Sequence, residues 1–130
     1  MSEEDKPLYH AAACMASNYL VTLMNMVEGI YRHLGMDADE AVRAFWPLVR
    51  GTVKNMEDRG TEKSLTGPIA RGDSGTIGKH LKVLESKMPE LLDVYCEMGL
   101  FAVDIGIKNN TLSEERADKI KSLLRGTSNE

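Results

Sequence analysis

The feature that most constrains the fold of this chain is a run of 17 uncharged residues, 11–27 (AAACMASNYLVTLMNMV), inside a longer helical pattern. Pro7 suits a first helical turn, and Arg32 and Gly35 are typical of a helix end. The pattern therefore predicts one helix from about Pro7 to Leu34, roughly 40 Å long at 1.5 Å per residue. A small domain does not need a helix of that length, so we expect the helix to contribute to an interface as well.

The uncharged run is also close to the shortest length that spans a membrane. Polar side chains buried in lipid need partners that lipid does not offer. The run carries four of them, namely Ser17, Asn18, Thr22 and Asn25. A helix in a soluble bundle can be apolar on most sides and still carry one polar stripe. We therefore expect no membrane span.

Helix signals also account for the rest of the chain, apart from one segment. Asp37 and Glu40 are spaced as a capping box and predict the start of a second helix. Pro47 should kink this helix before it ends near Gly60. The segment 61–73 has no helical period and contains two glycines and a proline, so it is predicted to be the one substantial loop.

Three more helices are expected after this loop, over about 74–87, 89–110 and 111–126. Thr111 and Glu114 form the capping box that predicts the start of the last one. No alternating run of β-branched and aromatic residues occurs, so no sheet is predicted. The predicted fold class is all-α, a helical bundle around the long first helix.

One helical domain is expected over 6–125, with flexible ends at 1–5 and 126–130. The 16 basic and 20 acidic residues are mixed along the chain and give a net charge of -4, which offers no surface suited to nucleic acid. The N-terminus is acidic, unlike a secretory signal. Cys14 and Cys96, the two cysteines, lie in apolar helical stretches. We therefore expect a cytoplasmic protein with buried, unpaired thiols.

A polar stripe is predicted on the long helix. On a helical wheel, six polar side chains lie on one side of the helix; they are His10, Cys14, Ser17, Asn18, Asn25 and Glu28. Hydrogen bonds to neighbouring helices explain any single member, because buried polar groups are normally paired. A whole polar line in a core more often faces a cavity, water or a ligand.

The segment 65–73 (LTGPIARGD) is a second candidate, because it leads into a helix N-terminus that can accept an anion. It is not a P-loop, since Gly72 is followed by Asp73 and no strand precedes it. Arg71 can bind a carboxylate or phosphate through its planar guanidinium. The alternative is that Arg71 pairs with Asp73 or with a carbonyl and only holds the loop.

His80 follows this segment on the next helix and is a candidate general acid or base, because histidine exchanges a proton near neutral pH. A surface histidine without a role is the alternative. The spacing of His10, Asp73 and His80 matches no compact metal-ligand motif, so no metal site is predicted.

Several segments together resemble one family, and they are YHAAA (9–13), ASNY (16–19), PLV (47–49), LTGPIARGD (65–73) and KHL (79–81). They resemble the C-terminal domain of unknown function that follows a Rossmann-like domain in NADP-dependent oxidoreductases. The resemblance covers about residues 6–125, and LTGPIARGD is its most specific part.

This resemblance implies a fold similar to the C-terminal domain of 6-phosphogluconate dehydrogenase, with dimerisation through the helical domains. More distant likenesses are to ketopantoate reductase and pyrroline-5-carboxylate reductase. The implied substrate lies between the nucleotide domain and the helical domain, which supplies orienting and proton-transfer groups. The resemblance implies that eight residues of this chain line the cleft, without fixing their individual roles. Our catalytic candidates among them are His10 and His80, and our substrate-binding candidates are Ser17, Asn18, Asn55, Thr66, Arg71 and Asp73.

The chain has no Gly-x-Gly-x-x-Gly motif after a strand, and therefore no cradle for a dinucleotide. We expect no cofactor on this chain alone, and NADP only where a Rossmann domain, in the same protein or in a partner chain, supplies its site. The predicted function is that of the substrate-side and dimerisation domain of an NADP-dependent oxidoreductase. The chain by itself is expected to form a homodimer that has no activity. The alternatives are a stand-alone dimeric interaction module without catalysis, and a metal-dependent or hydrolytic enzyme that uses His10 and His80.

Overall fold

A computed structural model of the chain describes residues 1–128, with side chains through residue 126. The regular structure in that range is entirely helical and contains no strand, which confirms the all-α prediction. The chain forms two compact units, Met1–Pro47 and the part from Leu48 onward. Each unit is described by itself.

The first unit contains the long helix that the uncharged run predicts. Helix α1 (Lys6–Cys14), a π-helical turn (Met15–Tyr19) and helix α2 (Leu20–His33) follow one another without a break. The predicted bounds, Pro7 to Leu34, are therefore confirmed to within one residue. The π turn was not predicted, because apolar spacing does not distinguish hydrogen bonds to the fifth residue from those to the fourth.

A short turn closes the long helix and the next helix begins almost at once. Gly35 takes a left-handed conformation with φ of 95°, which favours glycine. Helix α3 (Ala38–Arg59) begins with the predicted capping box, in which the Glu40 N–H donates to Asp37 Oδ1 at 2.8 Å and the Asp37 N–H donates to Glu40 Oε2 at 2.9 Å. The helix continues past Pro47, and the kink there stays a prediction.

The first unit buries very few side chains. Ala41 and Phe45 are buried, and the Phe45 ring stacks on Tyr31 with centroids 5.9 Å apart. The long helix meanwhile exposes large apolar side chains, namely Leu8, Tyr9, Met15, Tyr19 and Val21. Its central place in a bundle is therefore not evident within this unit and stays a prediction.

The second unit begins within α3 and holds four further helices: α4 (Gly67–Arg71), α5 (Ser74–Lys87), α6 (Leu92–Lys108) and α7 (Glu114–Ser128). The prediction of a loop over 61–73 was wrong in part, because one turn of 3-10 helix (Glu62–Ser64) and the short helix α4 lie within it. A 3-10 turn (Pro89–Leu91) also precedes α6, where the sequence predicted one continuous helix.

The core of the second unit forms around α6, which packs against α4, α5 and α7. It consists of buried side chains from α5, α6, α7 and the turn before α7: Ile77, Leu81, Leu92, Cys96, Val103, Leu112, Ala117, Ile120 and Leu124. Two glycines on α6 allow close approach, Gly99 to α7 and Gly106 to the turn before α7. A Cβ at Gly99 would lie 3.0 Å from a Leu124 methyl carbon, and one at Gly106 would lie 3.2 Å from the Leu112 Cβ.

The N-cap of α7 differs from the prediction. Ser113, not Thr111, caps this helix, since its hydroxyl accepts from the Arg116 N–H at 3.3 Å. The Thr111 hydroxyl instead donates to the Gly106 carbonyl at 3.4 Å, within the turn that ends α6. The sequence offered two residues able to cap and no means of choosing between them.

Both ends that the sequence predicted to be flexible, 1–5 and 126–130, contain helical residues. Ser2 and Asp5 close a 3-10 turn (Glu3–Asp5) before α1, and α7 extends two residues beyond the predicted Gly126. The remainder of the predicted flexible end, residues 129–130, lies outside the described residues. The boundaries of the 6–125 domain stay a prediction.

Within residues 1–128, none of the helices combines the length and apolarity that a membrane crossing requires.

Candidate functional site

The segment 65–73 is shaped by two glycines. Gly67 has a φ of 90° and Gly72 a φ of 69°, both in the left-handed region that other residues rarely adopt. Pro68 lies in the first turn of α4, where its missing N–H costs nothing. A Cβ on Gly72 would lie 2.6 Å from Arg116 Cδ, so the residue must also be small. Backbone conformation and packing therefore explain the glycines of this segment.

Asp73 ends the segment as the N-cap of α5. Its Oδ1 accepts from the Thr76 N–H at 3.0 Å and its Oδ2 from the Thr76 hydroxyl at 2.7 Å. These two hydrogen bonds hold the pKa of the Asp73 carboxyl below its usual value, and the charge of Arg71 lowers it further. The carboxylate is thus engaged in holding the helix end.

Arg71 keeps most of its guanidinium free of strong contacts. Its Nη2 lies 3.9 Å from Asp73 Oδ2, at the outer limit of an ion pair, and 63% of its side chain is exposed. The Arg71 carbonyl accepts a hydrogen bond from Arg116 Nη1 at 3.2 Å, which ties the segment to α7. Arg71 and Asp73 do pair, as the structural alternative in the sequence analysis holds, but the pairing leaves Arg71 able to bind an anion.

His80 makes a specific contact with a residue that the sequence did not single out. Its Nδ1 lies 2.8 Å from the Tyr95 hydroxyl on α6, and the two rings meet edge to face with centroids 5.9 Å apart. Both side chains are half-buried. The two residues are 15 positions apart on different helices, so no local spacing could have predicted the pair.

Burial sets the protonation of the groups around this pair. It raises the pKa of the Tyr95 phenol, with a smaller contribution from Cys96. The phenol therefore stays protonated at neutral pH and can donate to His80 Nδ1. Burial, followed by the charges of Asp93 and Glu97, likewise raises the pKa of the Cys96 thiol, so this cysteine is the buried, unreactive thiol that was expected.

The Asp73 cap and the His80–Tyr95 pair lie along one side of α5. Thr76 and His80 are four residues apart on that helix, so their Cβ atoms are about 6 Å apart. We call this surface the α5 face, defined by Arg71, Asp73, Thr76, His80 and Tyr95. It offers a cation, a capped carboxylate and a hydrogen-bonded imidazole within one compact unit.

The candidates of the first unit lie on the long helix and are exposed. Ser17 and Asn18 belong to the π-helical turn. The Asn18 side-chain amide donates at 3.6 Å to the Sγ of Cys14, the residue immediately before this turn. The wheel that placed the polar stripe assumed a regular α-helix, and the π turn alters the angle between residues on either side of it. His10 precedes the turn and is exposed. The first unit therefore shows no buried polar line of the kind expected.

Two further candidates, Asn55 and Thr66, lie in the second unit but are not part of the α5 face. Asn55 is exposed on α3, and Thr66 is an exposed, extended residue immediately before α4 whose side chain makes no cap hydrogen bond. The structure thus pairs Arg71 with Asp73 at the N-terminus of α5 and places His80 two turns further along that helix, and it leaves Asn55 and Thr66 without a demonstrated link to them.

A separate open depression of about 510 Å³ lies at the turn between α6 and α7. It is lined by Ile107, the turn 110–114 and Arg116, and none of the candidate residues from the sequence contributes to it. Among residues 1–128, no three histidine, cysteine, aspartate or glutamate side chains cluster in a way that suits a metal ion.

Comparison with known proteins identifies one family. The model of a family described as Domain of unknown function (DUF2520) matches residues 1–101, a stretch that ends inside α6. No curated protein and no solved structure matches the chain.

Proposed function

Because the chain belongs to the DUF2520 family of domains of unknown function, we propose a function for it from the α5 face and from the sequence resemblance. The chain acts as the substrate-side and dimerisation domain of an NADP-dependent oxidoreductase, has the 6-phosphogluconate dehydrogenase C-terminal fold, and has no turnover of its own. The observation that carries the proposal is the His80–Tyr95 hydrogen bond of 2.8 Å. A cytoplasmic location is part of the proposal, in keeping with two unpaired thiols.

Reduction of a carbonyl or imine by hydride requires a proton at the oxygen or nitrogen. In the proposal the imidazolium form of His80 supplies it from Nε2 and is left as the neutral imidazole. In both forms the His80 Nδ1–H donates to the Tyr95 hydroxyl oxygen 2.8 Å away, which holds the ring with Nε2 free to face the substrate. Tyr95 is then a positioning residue, and Nε2 is the atom offered to the substrate.

Arg71 binds the acid group of the substrate in this proposal. A guanidinium forms two parallel hydrogen bonds with a carboxylate, and 63% of the Arg71 side chain is exposed. A keto or imino acid, which carries a carboxylate beside the reducible bond, is therefore the proposed substrate class. Ser17 and Asn18, on the π-helical turn of the first unit, stay substrate-binding candidates in the proposal, because π-helical turns occur often at functional sites.

The residues of this chain do not suit the dinucleotide itself. Residues 1–128 contain no strand, and a dinucleotide cradle is built from a strand, a glycine-rich turn and a helix. We therefore assign NADP to a separate Rossmann domain, which would supply the hydride.

Nuclear magnetic resonance of the His80 ring tests this proposal. We expect a simple 2-oxo acid to shift the His80 ring signals, with the neutral ring protonated at Nδ1, where Tyr95 can accept. Tyr95→Phe should remove that tautomer preference, while Tyr19→Phe, which alters an exposed phenol, serves as the matched control. The purified chain should be dimeric and should not oxidise NADPH with such acids. Turnover by the chain alone, or a His80 ring unaffected by any 2-oxo acid, would contradict the proposal.

A second function, a stand-alone dimeric interaction module, is favoured by one observation. The Asp73 carboxylate is engaged by Thr76, which removes a ligand from the supposed substrate site. The joint replacement of Ser17, Asn18 and Arg71 by alanine distinguishes the two functions. An interaction module keeps its self-association and loses nothing else, whereas a substrate-side domain loses the response of His80 to the 2-oxo acid.

A further inference from the structure

The backbone of Arg71, the proposed acid-binding residue, is held by a residue of α7. Arg116 Nη1 donates to the Arg71 carbonyl at 3.2 Å, although the two residues are 45 positions apart in the chain. Arg71 is the last residue of α4, and the last carbonyls of a helix have no partner within it. A hydrogen bond from an ionised donor is about twice as strong as a neutral one. Arg116 therefore fixes the C-terminal end of α4.

The aliphatic part of the Arg116 side chain lies against the residue that follows Arg71. A Cβ built on Gly72 would lie 2.6 Å from Arg116 Cδ and 3.2 Å from Arg116 Cβ. Leu112 Cδ1 also lies 3.2 Å from that position. Because packed atoms cannot overlap, these contacts limit how far the backbone at 71–72 can move toward α7. Arg116 thus holds this backbone by packing as well as by its hydrogen bond.

Arg116 itself is attached to a rigid support. Its N–H donates to the Ser113 hydroxyl at 3.3 Å, and the Ala117 N–H donates to the Ser113 carbonyl at 2.9 Å. Leu112 and Ala117 are 4% and 1% exposed and belong to the core of the second unit. Functional groups on packed helices are held more precisely than groups on loops. The first turn of α7 is therefore a fixed point from which Arg116 reaches α4.

The Arg71 side chain has one weak contact to orient it within the described residues. Its Nη2 lies 3.9 Å from Asp73 Oδ2, and 63% of the side chain is exposed. The direction of such a side chain depends on its backbone, because the backbone conformation decides which rotamers are allowed. Two parallel hydrogen bonds to a carboxylate require a defined direction of the guanidinium plane. The backbone at 71–72 therefore decides where Arg71 can meet an acid group.

We propose that Arg116 is a positioning residue for the acid group of the substrate, and that it acts through Arg71 without touching the substrate. The inference rests on the proposed function, in which Arg71 binds the carboxylate of a keto or imino acid. It extends the substrate site to α7, a helix that lies beyond the residues 1–101 matched by the family.

Substitution of Arg116 tests the inference, with pyruvate as the 2-oxo acid and the His80 ring signals as the measure of binding. Arg116→Met keeps most of the aliphatic chain but removes the donor, and it should raise the dissociation constant of pyruvate about tenfold. Arg116→Lys keeps a charged donor and should bind within about threefold of the wild type. Lys119→Met, which removes an exposed cation from the same helix, is the matched control and should leave binding unchanged.

A double-mutant cycle distinguishes positioning from general support of the fold. Arg71→Lys keeps a charge without the planar fork, so it should bind pyruvate more weakly but measurably. In that background Arg116→Met should have little further effect, because residues that act through one contact have non-additive effects. An equal loss in both backgrounds would show that Arg116 only supports the unit, and it would overturn the inference. Circular dichroism checks that each variant is folded.

A measurement without ligand separates this inference from the proposed function. Nitrogen relaxation of the Arg71 Nε–H group reports the mobility of its guanidinium, which should rise in Arg116→Met and not in Lys119→Met. Unchanged pyruvate binding, or an Arg71 side chain no more mobile in Arg116→Met than in the wild type, overturns the positioning role and leaves the proposed function standing. A wild-type His80 ring that responds to no 2-oxo acid overturns the proposed function, while the Arg71 mobility still decides whether Arg116 orients that residue.

Discussion

The two compact units of this chain make opposite use of apolar sequence. The first unit contains the longest uncharged run of the chain, yet it buries only Ala41 and Phe45. The second unit contains the charge-rich helix α7, yet that helix contributes three fully buried side chains, Ala117, Ile120 and Leu124, to a continuous core. An apolar composition thus does not by itself create a core, because burial requires neighbours on the apolar side.

The largest expected effect comes from the core of the second unit. Ile120→Ala removes methyl and methylene groups from a fully buried site and should lower the free energy of unfolding by about 2–5 kcal/mol. Val21→Ala in the first unit is the comparison, because Val21 is 68% exposed and should change stability by less than about 0.5 kcal/mol. Urea unfolding followed by circular dichroism measures both. Equal losses would mean that the first unit has a core of its own.

A pair of glycine substitutions separates backbone strain from packing. Gly35 and Gly72 both have a positive φ, so alanine at either position should cost about 1–2 kcal/mol of conformational strain. Open space surrounds Gly35, whereas Arg116 Cδ lies 2.6 Å from a Cβ built on Gly72. Gly72→Ala must also displace Arg116 from the Arg71 carbonyl, which should add about 1 kcal/mol.

Thermal unfolding of the two glycine variants measures this difference, with Gly78→Ala as a control at a helical glycine that has no close neighbour. Gly78→Ala should unfold at the same temperature as the wild type or at a slightly higher one, because alanine has a higher helix propensity than glycine. If Gly35→Ala proves as costly as Gly72→Ala, the contact of Arg116 with the segment is not a packing constraint.

The smallest expected effect is a difference in acid stability. The folded pKa of Asp73 is below the ordinary value of 3.8 because Thr76 donates two hydrogen bonds to the carboxylate. The stabilisation is therefore fully present above pH 3.8 and is lost as the pH falls through the folded pKa. Asp73→Asn keeps an acceptor for the Thr76 N–H without titrating, and it should flatten the acid dependence of unfolding.

Asp5 offers the matching test in the first unit. Hydrogen bonds from Ser2 lower its pKa in the same way, but they close only a short turn at the chain end. Asp5→Asn should therefore leave the acid dependence of global unfolding unchanged. An equal effect of the two substitutions would show that acid stability reflects overall charge and not the α5 cap.

Much of the helix pattern could be predicted because its causes are local. Asp37 and Glu40 cap α3 as their spacing indicates, and Asp73 caps α5. The errors have local causes as well. Ser113 took the capping role predicted for Thr111, and α4 formed within a segment whose glycines and proline indicated a loop. In each case the local sequence is compatible with more than one backbone conformation, so pattern alone does not choose between them.

The candidate site was predictable only in part. Arg71, Asp73 and His80 were identified from the sequence, because residues near a helix start share a short stretch of chain. Tyr95 was missed, since it meets His80 from another helix. The polar stripe of the long helix was drawn on a regular wheel, and the π turn at 15–19 invalidated that geometry. Its candidates, His10, Ser17 and Asn18, stay predictions.

The sequence by itself determined the all-α class and most helix ends, because helix capping depends on neighbours along the chain. Only the tertiary structure decided which apolar faces are covered, which histidine is held by a tyrosine and which glycines make room for α7. These outcomes depend on residues far apart in sequence, and local pattern contains no information about which of them meet.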